Sequence, residues 1–349
     1  MQKNSLPSLK GKSLPDLQEM LAPLGARIFH ARQIMAWFYQ RGVSDFSLMT
    51  DLSKELRNRL AGNFRPDELD LKADHRSKDG SRKILLKTSD GQIIESVLIP
   101  SKERLTACLS TQLGCKLKCG FCATGSMGFV RNLTPGEIVD QLFHLQNLTG
   151  WQNRITNIVF MGMGEPMLNY DAMIFASKLI NSHLGFNIGA RHITVSTSGI
   201  VPGILRFMEE TEQFKLAISL NATTDAIRNK IMPINRKYPL KDLFDAAKKF
   251  SHTKGKLVFF EYILLAGIND HLADAGRLAK LLKDIPCKVN LIPYNPGINE
   301  RSFQSSSPQT QHAFFERLHQ LGVPVTVRMS KGQDINAACG QLKAAIMGK

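Results

Sequence analysis

The run Leu105-Thr106-Ala107-Cys108-Leu109-Ser110-Thr111 leads into Cys115-Lys116-Leu117-Lys118-Cys119-Gly120-Phe121-Cys122. Beyond it, Thr134-Pro135-Gly136-Glu137 opens an amphipathic stretch that ends at Leu148. In that order they read as a strand, a loop and a helix. Thr134 stands at the N-cap, Pro135 at the first helical position and Glu137 at the third, which is a capping box. The same alternation continues downstream. Strands are expected at Ile155–Met161, His192–Thr197, Phe214–Leu220, Lys256–Leu264, Cys287–Pro293 and Val323–Arg328. Helices are expected between them at Tyr170–His183, Leu240–Phe250, His271–Lys283 and Gln309–Leu321. Helical crossovers of this kind place successive strands parallel. The expected class is therefore α/β, with a parallel sheet either doubly wound or curled into a full or partial barrel.

Upstream the pattern changes. Ser13–Glu19, Ala31–Gln40 and Thr50–Leu60 read as helices, with Trp37, Phe38 and Leu56 as apolar anchors. Arg82–Thr88 and Gln92–Ile99 read as a hairpin closed by Asp90-Gly91. The expected division is a helical accessory domain at 1–75, a hairpin linker at 76–104 and the alternating domain at 105–349. Ser305-Ser306-Ser307-Pro308 reads as a loop, and no repeat of fixed period is present.

Of the 349 residues 43% are hydrophobic and 21% are charged, which excludes a disordered or collagen-like chain. No apolar run reaches the ~20 residues of a membrane span. Met1-Gln2-Lys3-Asn4-Ser5-Leu6-Pro7 does not read as a secretory signal, so a cytoplasmic protein is expected. Lys and Arg outnumber Asp and Glu by 45 to 30, a net charge of +15. Such an excess favours a polyanionic partner, of which nucleic acid is the commonest, although a basic surface also serves solubility alone.

There are six cysteines, Cys108, Cys115, Cys119, Cys122, Cys287 and Cys339. The spacing C-x₃-C-x₂-C at Cys115, Cys119 and Cys122 gives three thiolates close together. Electron-transfer 4Fe–4S clusters take four, so three would leave one iron open to another ligand. Zinc prefers a closed set of four, usually as two separated pairs, and no second pair exists here. An isolated cysteine such as Cys287 reads as a small buried hydrophobe.

The three cysteines, with Phe121 before the last, resemble the signature of the radical S-adenosylmethionine (SAM) superfamily. The resemblance implies a 4Fe–4S cluster whose open iron chelates SAM and, once reduced, cleaves it to methionine and a 5′-deoxyadenosyl radical. It also implies a full or partial (β/α) barrel. Further motifs fall at strand ends: Met161-Gly162-Met163-Gly164-Glu165-Pro166, Ser196-Thr197-Ser198-Gly199, Ser219-Leu220-Asn221 and Ile292-Pro293-Tyr294-Asn295. Barrels build their sites at that face. Glycines allow close backbone approach, while Glu165 and the hydroxyls suit an amine or a ribose.

Asp334-Ile335-Asn336-Ala337-Ala338-Cys339-Gly340 and Ala107-Cys108-Leu109-Ser110-Thr111-Gln112 narrow the resemblance to the RlmN/Cfr family of RNA methyltransferases. Asn132-Leu133, Met232-Pro233-Ile234-Asn235 and the helical N-terminal region extend it over nearly the whole chain. The fold it implies is a partial parallel (β/α)6-type barrel with a small N-terminal helical accessory domain that binds RNA. It implies cluster ligation by Cys115, Cys119 and Cys122, and SAM binding by Gly164, Glu165, Ser196, Ser219, Leu220, Asn221 and Asn295. Many members have Ser-Leu-His where this chain has Ser219-Leu220-Asn221; an amide also donates and accepts, but a contact needing imidazole is lost.

Two SAM are implied per methyl group. Cys339 takes a methyl by displacement, its S-methyl loses hydrogen to the deoxyadenosyl radical, and the carbon radical adds to adenine. Glu95 matches the base that removes the ring proton, and Cys108 frees the product by forming a disulfide with Cys339. The implied partners are 23S ribosomal RNA, with tRNA in some members, and an electron donor such as flavodoxin or ferredoxin; a monomer without membrane association is expected. Pro166 resembles the carbon-2 (RlmN) type, where carbon-8 (Cfr) sequences tend to have Ala. The competing readings are a redox-sensing RNA-binding protein, which leaves Cys108 and Cys339 unexplained, and a radical enzyme for a small molecule, which the charge disfavours.

Overall fold

The computed structural model describes residues 6–296 and 303–343; the Met1–Ser5 stretch read above lies outside them. The N-terminal part packs three helices, α1 (Leu14–Leu21), α2 (Ile28–Tyr39) and α3 (Lys54–Asn63), around Leu17, Leu21, Ile34, Phe38 and Leu60. Four strands follow, β1 (Asp70–Arg76), β2 (Arg82–Lys87), β3 (Ile93–Ser101) and β4 (Arg104–Cys108), each antiparallel to the one before it. The expected hairpin is β2–β3. β1 was not expected, and the division anticipated at residue 75 falls inside it.

A short pair, β5 (Gln112–Gly114) and β6 (Phe129–Asn132), brackets the cysteine loop and the one-turn helix α4 (Ala123–Ser126). The alternating region then runs α5 (Pro135–Thr149), β7 (Asn157–Phe160), α6 (Tyr170–Asn181), β8 (Ile193–Thr197), α7 (Val201–Met208) and β9 (Lys215–Ser219). It continues through α8 (Asp225–Ile231), α9 (Leu240–Lys254), β10 (Val258–Leu264), α10 (Leu272–Leu282), β11 (Cys287–Pro293), α11 (Pro308–Gln320) and β12 (Val325–Val327). The main sheet has the order β1-β2-β3-β4-β7-β8-β9-β10-β11-β12, and every pair from β4 onward is parallel. Each parallel strand is joined to the next by at least one helix.

The sheet is curled. Thr106, Asn157, Thr194, Phe259, Asn290 and Thr326, from six different parallel strands, line one cavity on its concave face. Among the described residues β12 does not pair with β4, so the barrel is partial. The convex face carries the apolar side chains of the helices, including Leu142, Met173, Ile204, Leu243, Leu278 and Phe314. Cys287 lies in this core.

The capping box of α5 forms as expected: Glu137 N–H donates to Thr134 Oγ1 (3.1 Å) and Thr134 N–H to Glu137 Oε2 (2.9 Å). The N-terminal segment lies against this first turn. A Cβ at Gly11, whose φ is +66°, would stand 2.3 Å from the Gly136 Cα, so only glycine permits the approach. Beside it Lys10 is fully buried. Its ammonium donates to Asp140 Oδ1 (2.6 Å) and to Asp67, and lies 3.3 Å from the Phe143 ring centroid. The other Asp140 oxygen accepts from the Glu68 and Leu69 amides, both at 2.8 Å. Asp67, Asp140 and His144 group as metal ligands do, but the Lys10 ammonium occupies the cationic position among them. This cluster joins the N-terminal part to the barrel.

Candidate active site

The cysteine loop is shaped by its backbone. Cys115 follows β5 and donates to Gly128 O (2.8 Å), Lys118 takes the left-handed conformation (φ 53°), and Cys122 caps α4 while donating to Cys119 O (3.2 Å). Cys115, Cys119 and Cys122 line one cavity at the C-terminal ends of the strands. Burial, with smaller contributions from Glu165 and Cys122, pushes the Cys115 thiol up to about 12. Burial and the two neighbouring thiols raise Cys119 as well. Without a metal these sulfurs hold their protons; a cation displaces the protons and bonds the thiolates. Three soft donors in one pocket suit three irons of a 4Fe–4S cluster and leave a fourth iron without a protein ligand.

Gly164, Glu165, Ser196, Ser219 and Asn221 line the same cavity. Gly164 has φ +97°, and a Cβ there would lie 2.5–2.8 Å from Gln112. The Gln112 side chain accepts from the Glu165 amide (2.8 Å), which fixes the loop. Glu165 is buried; its carboxylate accepts from the Met167 amide (3.1 Å) and the Ser198 amide (2.8 Å), coupling two strand ends. Burial raises its pKa, partly offset by these hydrogen bonds.

Leu220 and Asn295 stand apart from that cavity's lining. The Leu220 side chain belongs to the hydrophobic core. Asn295 donates to Ser330 Oγ (2.8 Å) and to Cys339 O (3.4 Å), and accepts from Gln333 (2.7 Å). It therefore holds the segment that carries Cys339. The Asn221 amide is also engaged, accepting from Ile263 N–H (2.8 Å) and donating to Met232 Sδ (3.3 Å).

Cys108, at the end of β4, and Cys339 line a larger, adjoining cavity of about 510 Å³. Met161, Gly162, Glu261 and Cys339 line both cavities, so the two are continuous. Burial first, and Cys339 second, push the Cys108 thiol up to about 12, with Arg328 acting in the opposite direction. None of the six cysteines is in a disulfide, so the expected Cys108–Cys339 bond is absent from this structure. The Cys339 segment is docked on the cluster loop through Ala123 N–H to Gly340 O (2.7 Å) and Thr124 Oγ1 to Leu342 O (2.6 Å).

Glu95 on β3 is buried, whereas an ordinary strand carboxylate would face solvent. Its Oε1 pairs with Lys83 Nζ (3.2 Å), and Oε2 accepts from the Lys343 amide (3.0 Å), so it lies beneath the Cys339 segment. Neither cavity includes Glu95 in its lining.

Sequence reasoning missed three charged residues. Arg228 is fully buried and donates to Leu220 O (2.9 Å), Ser198 O (2.7 Å), Ser219 O (3.1 Å) and Asn235 Oδ1 (3.0 Å). It thereby ties the third and fourth strand-end loops to the Met232–Asn235 motif, and burial brings its pKa down to about 10. Glu261 and Arg328 face the larger cavity. Glu261 is a single charge inside an apolar run, Arg328 ends one, and Arg228 sits between Asp225 and Lys230 on a mixed helix, so none gave a signal.

Two family profiles match the chain: the Radical SAM superfamily over residues 109–279 and the ribosomal RNA large subunit methyltransferase N-terminal domain over residues 8–65. The dual-specificity RNA methyltransferase RlmN of Anaeromyxobacter dehalogenans is 48% identical, covering 95% of this chain and 91% of its own. The probable dual-specificity RNA methyltransferase RlmN of Geobacillus kaustophilus is 45% identical over 97% and 93%. A radical SAM methyltransferase from Sphaerobacter thermophilus superposes with a TM-score of 0.93 at 43% identity, covering 96% of this chain and 99% of that one. Among the described residues no helix is long and apolar enough to cross a membrane. With its fold, its cysteine pocket and these likenesses, the chain belongs to the RlmN family of radical SAM RNA methyltransferases.

Proposed function

We propose that this protein methylates carbon 2 of an adenosine in 23S ribosomal RNA, and of tRNA in addition, by way of an S-methyl group on Cys339. The observation that carries the reading is the pairing of Cys108 with Cys339 in a cavity continuous with that of Cys115, Cys119 and Cys122. Neither an electron-transfer nor a sensing role requires that second pair of thiols.

Held by the three cysteines, the cluster with its bound SAM supplies a hydrogen-abstracting carbon radical, and a second SAM supplies the methyl group. Glu165, Ser196 and Ser219 offer acceptors and hydroxyls to SAM. Cys339 acts as a nucleophile toward the methyl group, which requires its thiolate. Carbon 2 of adenine lies between two ring nitrogens and is too electron-poor to attack a sulfonium, so the methyl must arrive through the protein sulfur as a radical. Glu95 accepts the ring proton after the Lys343 amide has moved aside, and the unpaired electron left by the radical addition would be taken up by a cluster held by Cys115, Cys119 and Cys122. Cys108 thiolate then attacks Cys339 Sγ: a sulfur–sulfur bond forms, the sulfur–methylene bond breaks, and its electron pair goes to the methylene carbon, which takes up a proton. An electron donor of the flavodoxin or ferredoxin class would reduce the cluster, a dithiol reductant would return two electrons and two protons to the disulfide, and the helical N-terminal region contributes RNA contacts.

Digestion of RNA from a deletion strain tests the reading: 2-methyladenosine should disappear. Loss of 8-methyladenosine instead would assign carbon 8, and loss of neither would refute methylation. Mass spectrometry should find a methyl on Cys339 of cluster-loaded protein, and C108A protein should accumulate covalently joined to RNA.

A further inference from the structure

Arg328 follows β12, and Arg328 N–H donates to Leu291 O (2.8 Å), which fixes its backbone on β11. Its side chain enters the larger cavity together with Cys108, Cys339 and Glu261. Among the described residues no carboxylate comes within ion-pairing distance of the guanidinium. The side-chain partner it does have is the Met161 thioether at 4.0 Å, a weak acceptor. A largely buried guanidinium with five donors and no anion is costly to a fold. Glu261, across the cavity, gives Oε1 to Asn290 (2.9 Å) and leaves Oε2 unpartnered.

We propose that Arg328 is the counter-cation of the Cys108–Cys339 thiol pair, placed to stabilise the thiolate on whichever sulfur is the nucleophile. The inference rests on the reading of these cysteines as reacting thiolates. The neighbours of Cys108 leave Arg328 as the cation able to do this. Val97 and Val159 flank it on β3 and β7 and carry no charge. Lys83 is paired with Glu95, Lys331 donates to Pro100 O, Arg104 is at the far end of β4, and Lys215, which lines the same cavity, lies over the Phe259 ring (5.9 Å). Cys339 first, then Glu261 and Cys108, in turn raise the pKa of Arg328 against the effect of burial. Ionisation here moves one proton from sulfur to water and needs no oxidant or reductant.

The test uses full-length, cluster-loaded protein reconstituted without SAM and alkylated with iodoacetamide from about pH 6 to about pH 11, with each cysteine peptide quantified by mass spectrometry. Cys108 stays below its midpoint over this whole range, so the rate at each pH is the readout: in R328M Cys108 alkylation should slow about tenfold at every pH. R328K should keep the parent rate. Cys287, whose thiol burial alone pushes up to about 11, is the internal control and should not move. R328M removes a buried cation but also the cation that lowers the pKa of Glu261, so the urea midpoint is recorded beside the alkylation rates as a check on folding. An unchanged Cys108 alkylation rate in R328M overturns the proposal. So does a variant that loses stability and shifts Cys287 along with Cys108, since that marks a structural arginine. No RNA is used, so failure of the methylation reading would leave this result standing, and the reverse also holds.

Discussion

Replacing Glu165 by Gln tests the cavity that the strand-end loops enclose. The carboxylate is buried and receives the Met167 and Ser198 amides, one on each oxygen. Gln keeps the volume and one acceptor, so at most one of these bonds is lost, about 0.5–1.5 kcal/mol of stability. The ligand loses more. If the carboxylate binds the ammonium of SAM, as its position beside the cysteine pocket suggests, a charge-assisted hydrogen bond of about 1.5–3 kcal/mol goes with it. That corresponds to a dissociation constant about 10- to 150-fold weaker. Isothermal titration of SAM into anaerobic, cluster-loaded protein measures it, with iron content and urea midpoint as controls. Binding within twofold of the parent, with iron unchanged, would remove Glu165 from the SAM site.

Three further outcomes are expected. Gly164→Ala places a methyl 2.5 Å from the Gln112 Cβ in a backbone region disfavoured for L residues, and should abolish SAM binding while iron content persists. Lys10→Met leaves Asp140 buried without its cation and should destabilise the fold by about 3–5 kcal/mol, read from urea unfolding. The pH dependence involves His144. Burial disfavours its charged form, but the adjacent Asp140 outweighs burial and the net pKa is raised. Its stabilising contribution is therefore complete below the unfolded imidazole value of about 6.5 and is lost as pH rises through the folded value. His144→Gln should flatten the stability profile over that interval; an unaltered slope would exclude His144 as its source.

The seven parallel strands were legible because each, packed between helices and the barrel interior, is a run of apolar or β-branched residues. The cysteine triad was legible because loop geometry requires its ligands close together in sequence. β1, Asp-Leu-Lys-Ala-Asp-His-Arg, was not, since most of its side chains are exposed and no alternation survives. Asn221 reads from sequence as a ligand contact, yet its amide is fastened to Ile263 and Met232, partners supplied by other elements. Arg228 likewise braces loops contributed by separate strands. Such roles depend on which strand ends meet, and local pattern does not carry that information.

The salt cluster around Lys10 also limits how the chain can be shortened. Because its cation comes from the amino-terminal segment and its anions from the loop before β1 and from α5, the helices ahead of the sheet are not a detachable handle. Leu9 beside Lys10 is fully buried and the Pro7 carbonyl accepts from Arg65 N–H (3.0 Å), so trimming into Pro7–Leu9 should already cost stability. Removing Lys10 itself strands two carboxylates at a dry seam, and the leading helices and the catalytic barrel should then lose their common melting transition.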